Sequence, residues 1–74
     1  MMDTKRLDLN LLVTLEALLA ERNVTKAAAR LALSQPAVSA QLARLRDVFD
    51  DPLLLPAQRG MTPTAKALDL HEPL

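Results

Sequence analysis

The sequence contains no cysteine, tryptophan or tyrosine, and Phe49 is its single aromatic residue. The absence of cysteine excludes a disulfide and a thiolate metal site, and it suits a reducing compartment. A core must therefore be built from aliphatic side chains, mostly leucine and alanine, which favour helices. No apolar run approaches the roughly 20 residues that cross a bilayer, and residues 1–6 do not lead into a signal-peptide core. We expect one small cytoplasmic domain in the 74 residues.

The charges are unevenly distributed along a chain whose net charge is zero. Between Arg22 and Arg46 there are no acidic residues and five basic ones, namely Arg22, Lys26, Arg30, Arg44 and Arg46. A local basic patch, and not the net charge, is what binds a phosphate backbone. The zero net charge therefore does not exclude nucleic acid. The same residues could equally serve to solvate the exposed faces of helices.

Hydrophobic spacing predicts three helices in the first two thirds of the chain. The first runs from an N-cap at Asp8 to about Arg22 and carries an apolar stripe of Leu11, Leu12, Leu15, Leu18 and Leu19. The second is short, begins after a cap at Thr25 and has a narrow apolar face of Ala27, Ala28 and Leu31. After a turn in which Leu33 points inward, Ser34 caps the third helix. Pro36 lies in its first turn, and its buried stripe is Val38, Leu42, Leu45 and Phe49.

The last third predicts a small hairpin and the start of a fourth helix. Residues 53–55 and 61–62 form two short strands, and the turn at 57–60 contains Gly60, which accepts the positive φ that a tight turn requires. Thr64 is the predicted cap of a helix that contains Leu68 and Leu70.

The sequence gives little support for a catalytic function. His71 is the sole histidine, and a solvated surface position accounts for it. There is no glycine-rich phosphate loop, no spaced set of metal ligands and no nucleophile with a base. We therefore expect no enzyme activity, no cofactor and no metal.

The second and third predicted helices are joined by a three-residue turn, which is the spacing of a helix-turn-helix. An ordinary helical hairpin has the same spacing, so the residues on the outward face of the third helix must distinguish the two. That face carries Pro36, Ala40 and Ala43, flanked on one side by Ser39 and Arg46 and on the other by Ala37 and Arg44. Such short side chains let a helix enter a major groove about 12 Å wide, where Ser34, Gln35 and Ser39 could hydrogen-bond base edges or phosphates.

Residues 24–39, VTKAAARLALSQPAVS, closely resemble the signature of LysR-type transcriptional regulators. Further blocks at 8–12, 42–46, 51–54 and 59–64 follow in the order found in that family, so the resemblance extends from Leu7 onward. It implies a mainly α winged helix-turn-helix in residues 1–64, with a three-helix core and a two-stranded β-wing. Residues 65–74 would be the truncated start of the linker helix through which two subunits pair. A larger ligand-sensing domain follows in the family and is absent from this chain.

The resemblance also assigns DNA-binding roles. Gln35, Pro36, Ala37 and Ser39 match the part of the recognition helix that enters the major groove. Thr25 and Lys26 match the contact of the second helix with the backbone, and Arg59 matches the wing tip. Together with the outward face, the predicted DNA-binding residues are Thr25, Lys26, Ser34, Gln35, Pro36, Ala37, Ser39, Ala40, Arg44 and Arg59.

Two departures from the family pattern affect these roles. Many relatives have a basic residue at the position of Ala40, so one expected contact is missing and the target sequence cannot be transferred. Leu55-Pro56 replaces a valine–arginine pair, which removes a charge and a backbone donor. We therefore expect a less regular wing with a weaker grip on the backbone.

The resemblance thus implies a bacterial, nucleoid-associated protein that binds double-stranded DNA sequence-specifically. Residues 35–49 would lie in the major groove and residues 53–62 in the adjacent minor groove. The full-length regulator would form a homodimer or tetramer. The leading alternative is a helical protein-interaction or dimerisation module without a DNA role, and a small hydrolase comes third.

Overall fold

The computed structural model describes residues 9–71, with the exception of the His71 side chain. Its elements are α1 Leu9–Glu21, α2 Val24–Leu31, α3 Gln35–Phe49, β1 Leu54–Pro56, β2 Met61–Pro63 and α4 Ala65–His71. The predicted N-cap Asp8 lies outside the described residues. Within residues 9–71, no helix combines the length and the apolar character needed to span a membrane.

The core lies between the first three helices and is closed by the start of the hairpin. Leu18, Val38 and Leu45 are completely inaccessible to solvent, as are Leu53 and Leu54. Most of the predicted α1 stripe is buried, but Leu12 is 37% exposed. Phe49 is half-buried at the margin of the core. The helical periodicity of α3 is therefore confirmed, since its stripe faces α1 and α2.

The N-cap of α2 is Asn23, and the prediction of Thr25 was wrong. The Asn23 side chain accepts a hydrogen bond of 2.9 Å from the backbone N–H of Lys26. Arg22 has a left-handed backbone, with φ of 52°, so α1 ends abruptly and Asn23 is extended immediately before α2. Thr25 thus lies inside the first turn.

The predicted cap of α3 is confirmed. The hydroxyl oxygen of Ser34 accepts a hydrogen bond of 3.2 Å from the Ala37 N–H, and α3 begins at Gln35 with Pro36 in its first turn. Such a cap satisfies one of the backbone donors that a helix leaves unpaired at its N-terminus.

The turn between α2 and α3 is a Schellman motif centred on Ala32. Ala32 is left-handed, with φ of 58°. Its N–H bonds to Ala29 O at 3.2 Å, and the Leu33 N–H bonds to Ala28 O at 2.9 Å. The chain reverses here at the surface, and Leu33 is 40% exposed. The prediction that Leu33 points inward was therefore wrong.

The hairpin pairs β1 and β2 in antiparallel register, Leu54 with Pro63, Leu55 with Thr62 and Pro56 with Met61. The ladder is closed at one end by Ala57 N–H to Gly60 O at 3.1 Å, and at the other by Thr64 N–H to Leu53 O at 2.9 Å. Because hydrogen-bonded and non-bonded pairs alternate in an antiparallel ladder, both prolines fall at non-bonded positions. The strands therefore pair regularly, contrary to the expectation from Pro56.

Helix α4 begins where the hairpin ends. Thr64 is its cap, as predicted, because its hydroxyl oxygen accepts a hydrogen bond of 3.1 Å from Ala67 N–H. Ala67 is fully buried against the core, whereas Leu68 is 46% exposed.

Candidate nucleic-acid interface

The outward face of α3 is exposed and carries short side chains. Along it lie Gln35, Pro36, Ser39, Ala40, Ala43 and Arg44, all exposed, with Ala37 half-buried beside them. The N-terminal half of this face is uncharged, and the C-terminal half carries Arg44 and the exposed Asp47. Nothing on it is longer than a glutamine until Arg44, so a groove can come close to the helix backbone.

Ser34 stands at the start of this face with one hydrogen-bonding function already used. Its oxygen accepts from Ala37 N–H, and the hydroxyl proton remains free to donate. An exposed donor at this point suits an anionic acceptor, because the amide groups at a helix N-terminus add a positive potential.

The hairpin turn is attached to the N-terminal end of α2. Met61 N–H donates a hydrogen bond of 2.8 Å to the Arg22 carbonyl. Gly60 has a φ of 81°, and a Cβ at this position would collide with the Arg22 carbonyl oxygen. This close approach brings the exposed Arg59, next to Gly60, towards the first turn of α2, which carries the exposed Thr25 and Lys26. The hairpin turn and the start of α2 are therefore neighbours.

Two of the five basic residues between Arg22 and Arg46 are engaged within the protein. Arg30 Nη1 lies 3.3 Å from Glu21 Oε2 in an ion pair. The guanidinium of Arg46 donates from Nε to Pro52 O at 2.8 Å and from Nη2 to Leu54 O at 2.7 Å. Sequence spacing had placed Arg46 on the flank of the outward face. Within residues 9–71, no ion pair or side-chain hydrogen bond engages Arg22, Lys26 or Arg44, the other three basic residues of this stretch, or Arg59 at the hairpin turn.

Asp51 organises the loop between α3 and β1, a role that the sequence did not predict. Its Oδ2 accepts hydrogen bonds from Leu53 N–H at 2.8 Å and from Thr64 Oγ1 at 2.7 Å. The Thr64 hydrogen bond, and then the Leu53 one, lower the pKa of the Asp51 carboxyl from its ordinary value; Lys66 adds to the effect and desolvation opposes it. The signal for such a role is an acidic residue directly before a proline and two buried leucines, Leu53 and Leu54.

A surface groove of about 320 Å³ lies on the other side of α3. It is lined by Asn10, Val13, Thr14, Leu31, Leu33 and Gln41, none of which is ionisable. Across its floor the buried hydroxyl of Thr14 donates to Gln41 Oε1. Elsewhere in residues 9–71, no three His, Cys, Asp or Glu side chains are grouped so that they could hold a metal ion.

Comparison with known proteins identifies relatives of this chain. Residues 9–68 match the bacterial regulatory helix-turn-helix proteins of the lysR family. The HTH-type transcriptional regulator SyrM 1 of Sinorhizobium fredii is 57% identical over 68 residues, which cover 92% of this chain and 20% of that protein. The HTH-type transcriptional activator NagR of a Ralstonia species is 49% identical over 73 residues, covering 99% of this chain and 24% of NagR. The chain thus spans about a fifth to a quarter of the length of these curated relatives.

Solved structures show the same fold. A probable transcriptional regulator from Pseudomonas aeruginosa is similar with a TM-score of 0.88 and 47% identity, over 92% of this chain and 23% of the other. The DNA-binding domain of CbnR, solved as a complex with DNA, is similar with a TM-score of 0.83 and 28% identity, over 90% of this chain and 77% of the other. On its sequence match and its winged three-helix fold, the chain belongs to the LysR family of bacterial regulatory helix-turn-helix proteins.

Proposed function

We propose that this chain is the DNA-binding domain of a LysR-type transcriptional regulator and that it binds double-stranded DNA sequence-specifically. Helix α3 enters the major groove, and the β1–β2 hairpin reaches the adjacent minor groove. The proposal rests on the exposed face of α3, whose N-terminal half carries short, uncharged side chains and is followed by the exposed Arg44. The similarity to a CbnR domain solved with DNA supports it.

Each predicted residue has a role that its exposure and chemistry allow. Gln35 and Ser39 offer amide and hydroxyl groups to base edges. Apolar contacts with thymine methyl groups come from Pro36, Ala37 and Ala40. Phosphate contacts come from the donors at the helix N-termini and along α3, namely Thr25, Lys26, Ser34 and Arg44. Arg59, at the exposed hairpin turn, enters the minor groove.

Helix α4 is the start of the linker helix, so residues 65–74 belong to a dimerisation element. Its buried Ala67 packs on the core, while Leu68 is 46% exposed and available to a second subunit. The full-length regulator pairs through this helix as a homodimer or tetramer and acts on DNA in the bacterial cytoplasm.

Neither the exposed α3 face nor the groove of about 320 Å³ offers a catalytic constellation, and the relatives are transcriptional regulators. We expect no enzyme activity.

The test is selection of bound duplexes from a random library by the 74-residue chain, followed by fluorescence-anisotropy titration. The recovered duplex should bind on the order of 10²- to 10³-fold more tightly than a shuffled duplex. The double variant Gln35→Ala/Ser39→Ala should lose this preference. Ala20→Ser, at an exposed uncharged position on α1, should keep it. Equal affinity of the wild-type chain for both duplexes would refute sequence-specific binding, and no binding to either would favour a protein-interaction module.

A further inference from the structure

Arg46 is a basic residue of α3 whose charge is directed at the main chain of the protein itself. Its Nε donates to Pro52 O at 2.8 Å and its Nη2 to Leu54 O at 2.7 Å. The two carbonyls flank Leu53, because Pro52 lies two residues before β1 and Leu54 is its first residue. The rigid, planar guanidinium suits this arrangement, because it presents two donors in a fixed geometry that a lysine cannot reproduce.

The loop that Arg46 holds has an unusual backbone. Asp50 and Leu53 are left-handed, with φ of 52° and 64°, a region that residues other than glycine rarely adopt. Such a loop persists only when its surroundings determine it. Here Asp51 accepts from the Leu53 N–H, and Arg46 donates to the carbonyls on either side of it. The oppositely charged side chains of Asp51 and Arg46 therefore hydrogen-bond the main-chain N–H and C=O groups of this loop.

This loop sets where the hairpin leaves α3. Leu54, whose carbonyl Arg46 binds, is the first residue of β1 and pairs with Pro63 of β2. Gln35 lies eleven residues before Arg46 on the same helix, about 16 Å along its axis. Arg46 is therefore a direct side-chain connection between the helix that carries Gln35 and the hairpin that carries Arg59.

We propose that Arg46 is a positioning residue for DNA binding, which touches no DNA and holds the wing at a fixed angle to α3. Arg59 then meets the minor groove at a set distance from the bases that Gln35 contacts. The inference rests on the proposed function and extends it, since it assigns a role to a residue outside the DNA-binding face. A general electrostatic role is the competing explanation, and the conservative variant separates the two. Arg46→Lys keeps the charge and loses the two-carbonyl geometry.

The first measurement needs no DNA. Residual dipolar couplings of backbone amides report the orientation of the hairpin relative to α3. In Arg46→Lys and Arg46→Gln, the couplings of α1–α3 should still fit the wild-type structure, whereas those of Leu54, Leu55, Met61 and Thr62 should not. Arg44→Lys, a matched change at an exposed position of α3, should leave both sets unchanged. A wild-type hairpin orientation in both Arg46 variants would overturn the proposal.

The second measurement is a pair of double-mutant cycles on the duplex that the wild-type chain selects. The affinity loss from Arg59→Ala should be about three- to tenfold smaller in the Arg46→Lys background, which keeps the charge, than in wild type. The loss from Gln35→Ala should be the same in both backgrounds. A loss of general stability would reduce both effects alike, and equal reduction, or no coupling to Arg59, would contradict a positioning role.

The two measurements also separate this inference from the proposed function. If the wild-type chain selects no duplex, the proposed function fails and the positioning role falls with it, even where the dipolar couplings show that Arg46 holds the hairpin. If the chain binds its duplex and Arg46→Lys retains both the hairpin orientation and the Arg59 effect, only the positioning role fails.

Discussion

Thr64 Oγ1 donates a hydrogen bond of 2.7 Å to Asp51 Oδ2, which joins the loop after α3 to the first turn of α4. The same threonine oxygen accepts from Ala67 N–H at 3.1 Å. The N–H of Ala67 at the start of α4 thus donates to the Thr64 hydroxyl, and this hydroxyl donates to the Asp51 carboxylate. The hairpin lies between Asp51 and Thr64 in the chain, so this contact closes the wing at its base.

This arrangement predicts that acid weakens the fold through Asp51. Its carboxyl pKa is lowered in the folded chain, mainly by the Thr64 hydrogen bond. A group with a depressed folded pKa stabilises the protein above its unfolded pKa, near 4 for aspartate, and loses that contribution as the pH falls through the folded pKa. Circular-dichroism melts from pH 7 to pH 2.5 should therefore show a smaller decrease in melting temperature for Asp51→Asn than for wild type.

Thr64→Val provides the matched variant for this pH dependence. It removes the largest cause of the lowered pKa and keeps the size of the side chain, so the acid transition should move to higher pH. Thr62→Val, at an exposed position of β2, should behave as wild type. Identical acid profiles for wild type and Asp51→Asn would show that Asp51 does not contribute to the pH dependence.

Sequence periodicity predicted the three core helices well, because burying one face of a helix requires apolar residues at helical spacing. Val38, Leu42 and Leu45 recur at helical spacing and are all buried. Ser34 is the cap that its position before a proline-containing first turn indicated. The exposed face of α3 then follows by exclusion, which is why the predicted major-groove residues are at the surface.

The wrong predictions fall at positions where backbone conformation, and not residue type, determines the local structure. Asn23 and Thr25 are both good caps, and the left-handed Arg22 selects Asn23 by ending α1 one residue earlier. Leu33 is apolar, but the reversal at Ala32 leaves it exposed. The partner of Arg30, Glu21, lies nine residues before it in the chain. The partners of Arg46 lie six and eight residues after it. Composition alone could not tell these engaged cations from the free ones.

The salt dependence of binding should reflect four cations. Arg22, Lys26, Arg44 and Arg59 have no ion-pair or side-chain hydrogen-bond partner within residues 9–71, and we expect each of them to contact one phosphate. With about 0.9 counterions released per contact, the slope of log K against log salt should be about −3 to −4. Arg44→Ala should lower its magnitude by about 1, and Arg30→Ala should leave it unchanged. A flat dependence in an anisotropy titration would be incompatible with phosphate binding.

Gln35 and Lys26 should differ in the kind of affinity that they provide. Gln35→Ala removes a predicted base contact and should cost about 1–3 kcal/mol on the selected duplex, with relaxed specificity at one position. Lys26→Ala removes a predicted phosphate contact and should weaken all duplexes to a similar extent. Titration of both variants against single-base substitutions of the selected site distinguishes the two patterns. If the variants behave alike across that panel, the assigned roles are wrong.

The 74-residue chain should be mainly monomeric at micromolar concentration. Helix α4 extends over seven described residues, Ala65–His71, and a helix this short is marginal without a packing partner. Sedimentation equilibrium should give the monomer mass, and a duplex with two half-sites one or two helical turns apart should bring two copies together. A tight dimer without DNA would place the interface elsewhere. The exposed Leu9 and Val13 of α1 are then the first positions to substitute.

Arg59 should read the width of the minor groove beside the recognised bases. It is exposed at the hairpin turn, next to Gly60, and the Met61 N–H to Arg22 carbonyl hydrogen bond attaches this turn to the segment before α2. A·T-rich tracts narrow the minor groove and concentrate negative potential there, which an inserted arginine senses. Arg59→Ala should therefore reduce affinity most for sites with A·T-rich flanks and least for G·C-rich flanks. Its folding stability should change by no more than about 0.5 kcal/mol, as expected for an exposed turn. Gln58→Ala, the preceding exposed turn residue, is the control and should leave the flank preference intact. An equal loss on every flank would make Arg59 a phosphate contact, and no loss on any flank would remove the wing from the interface.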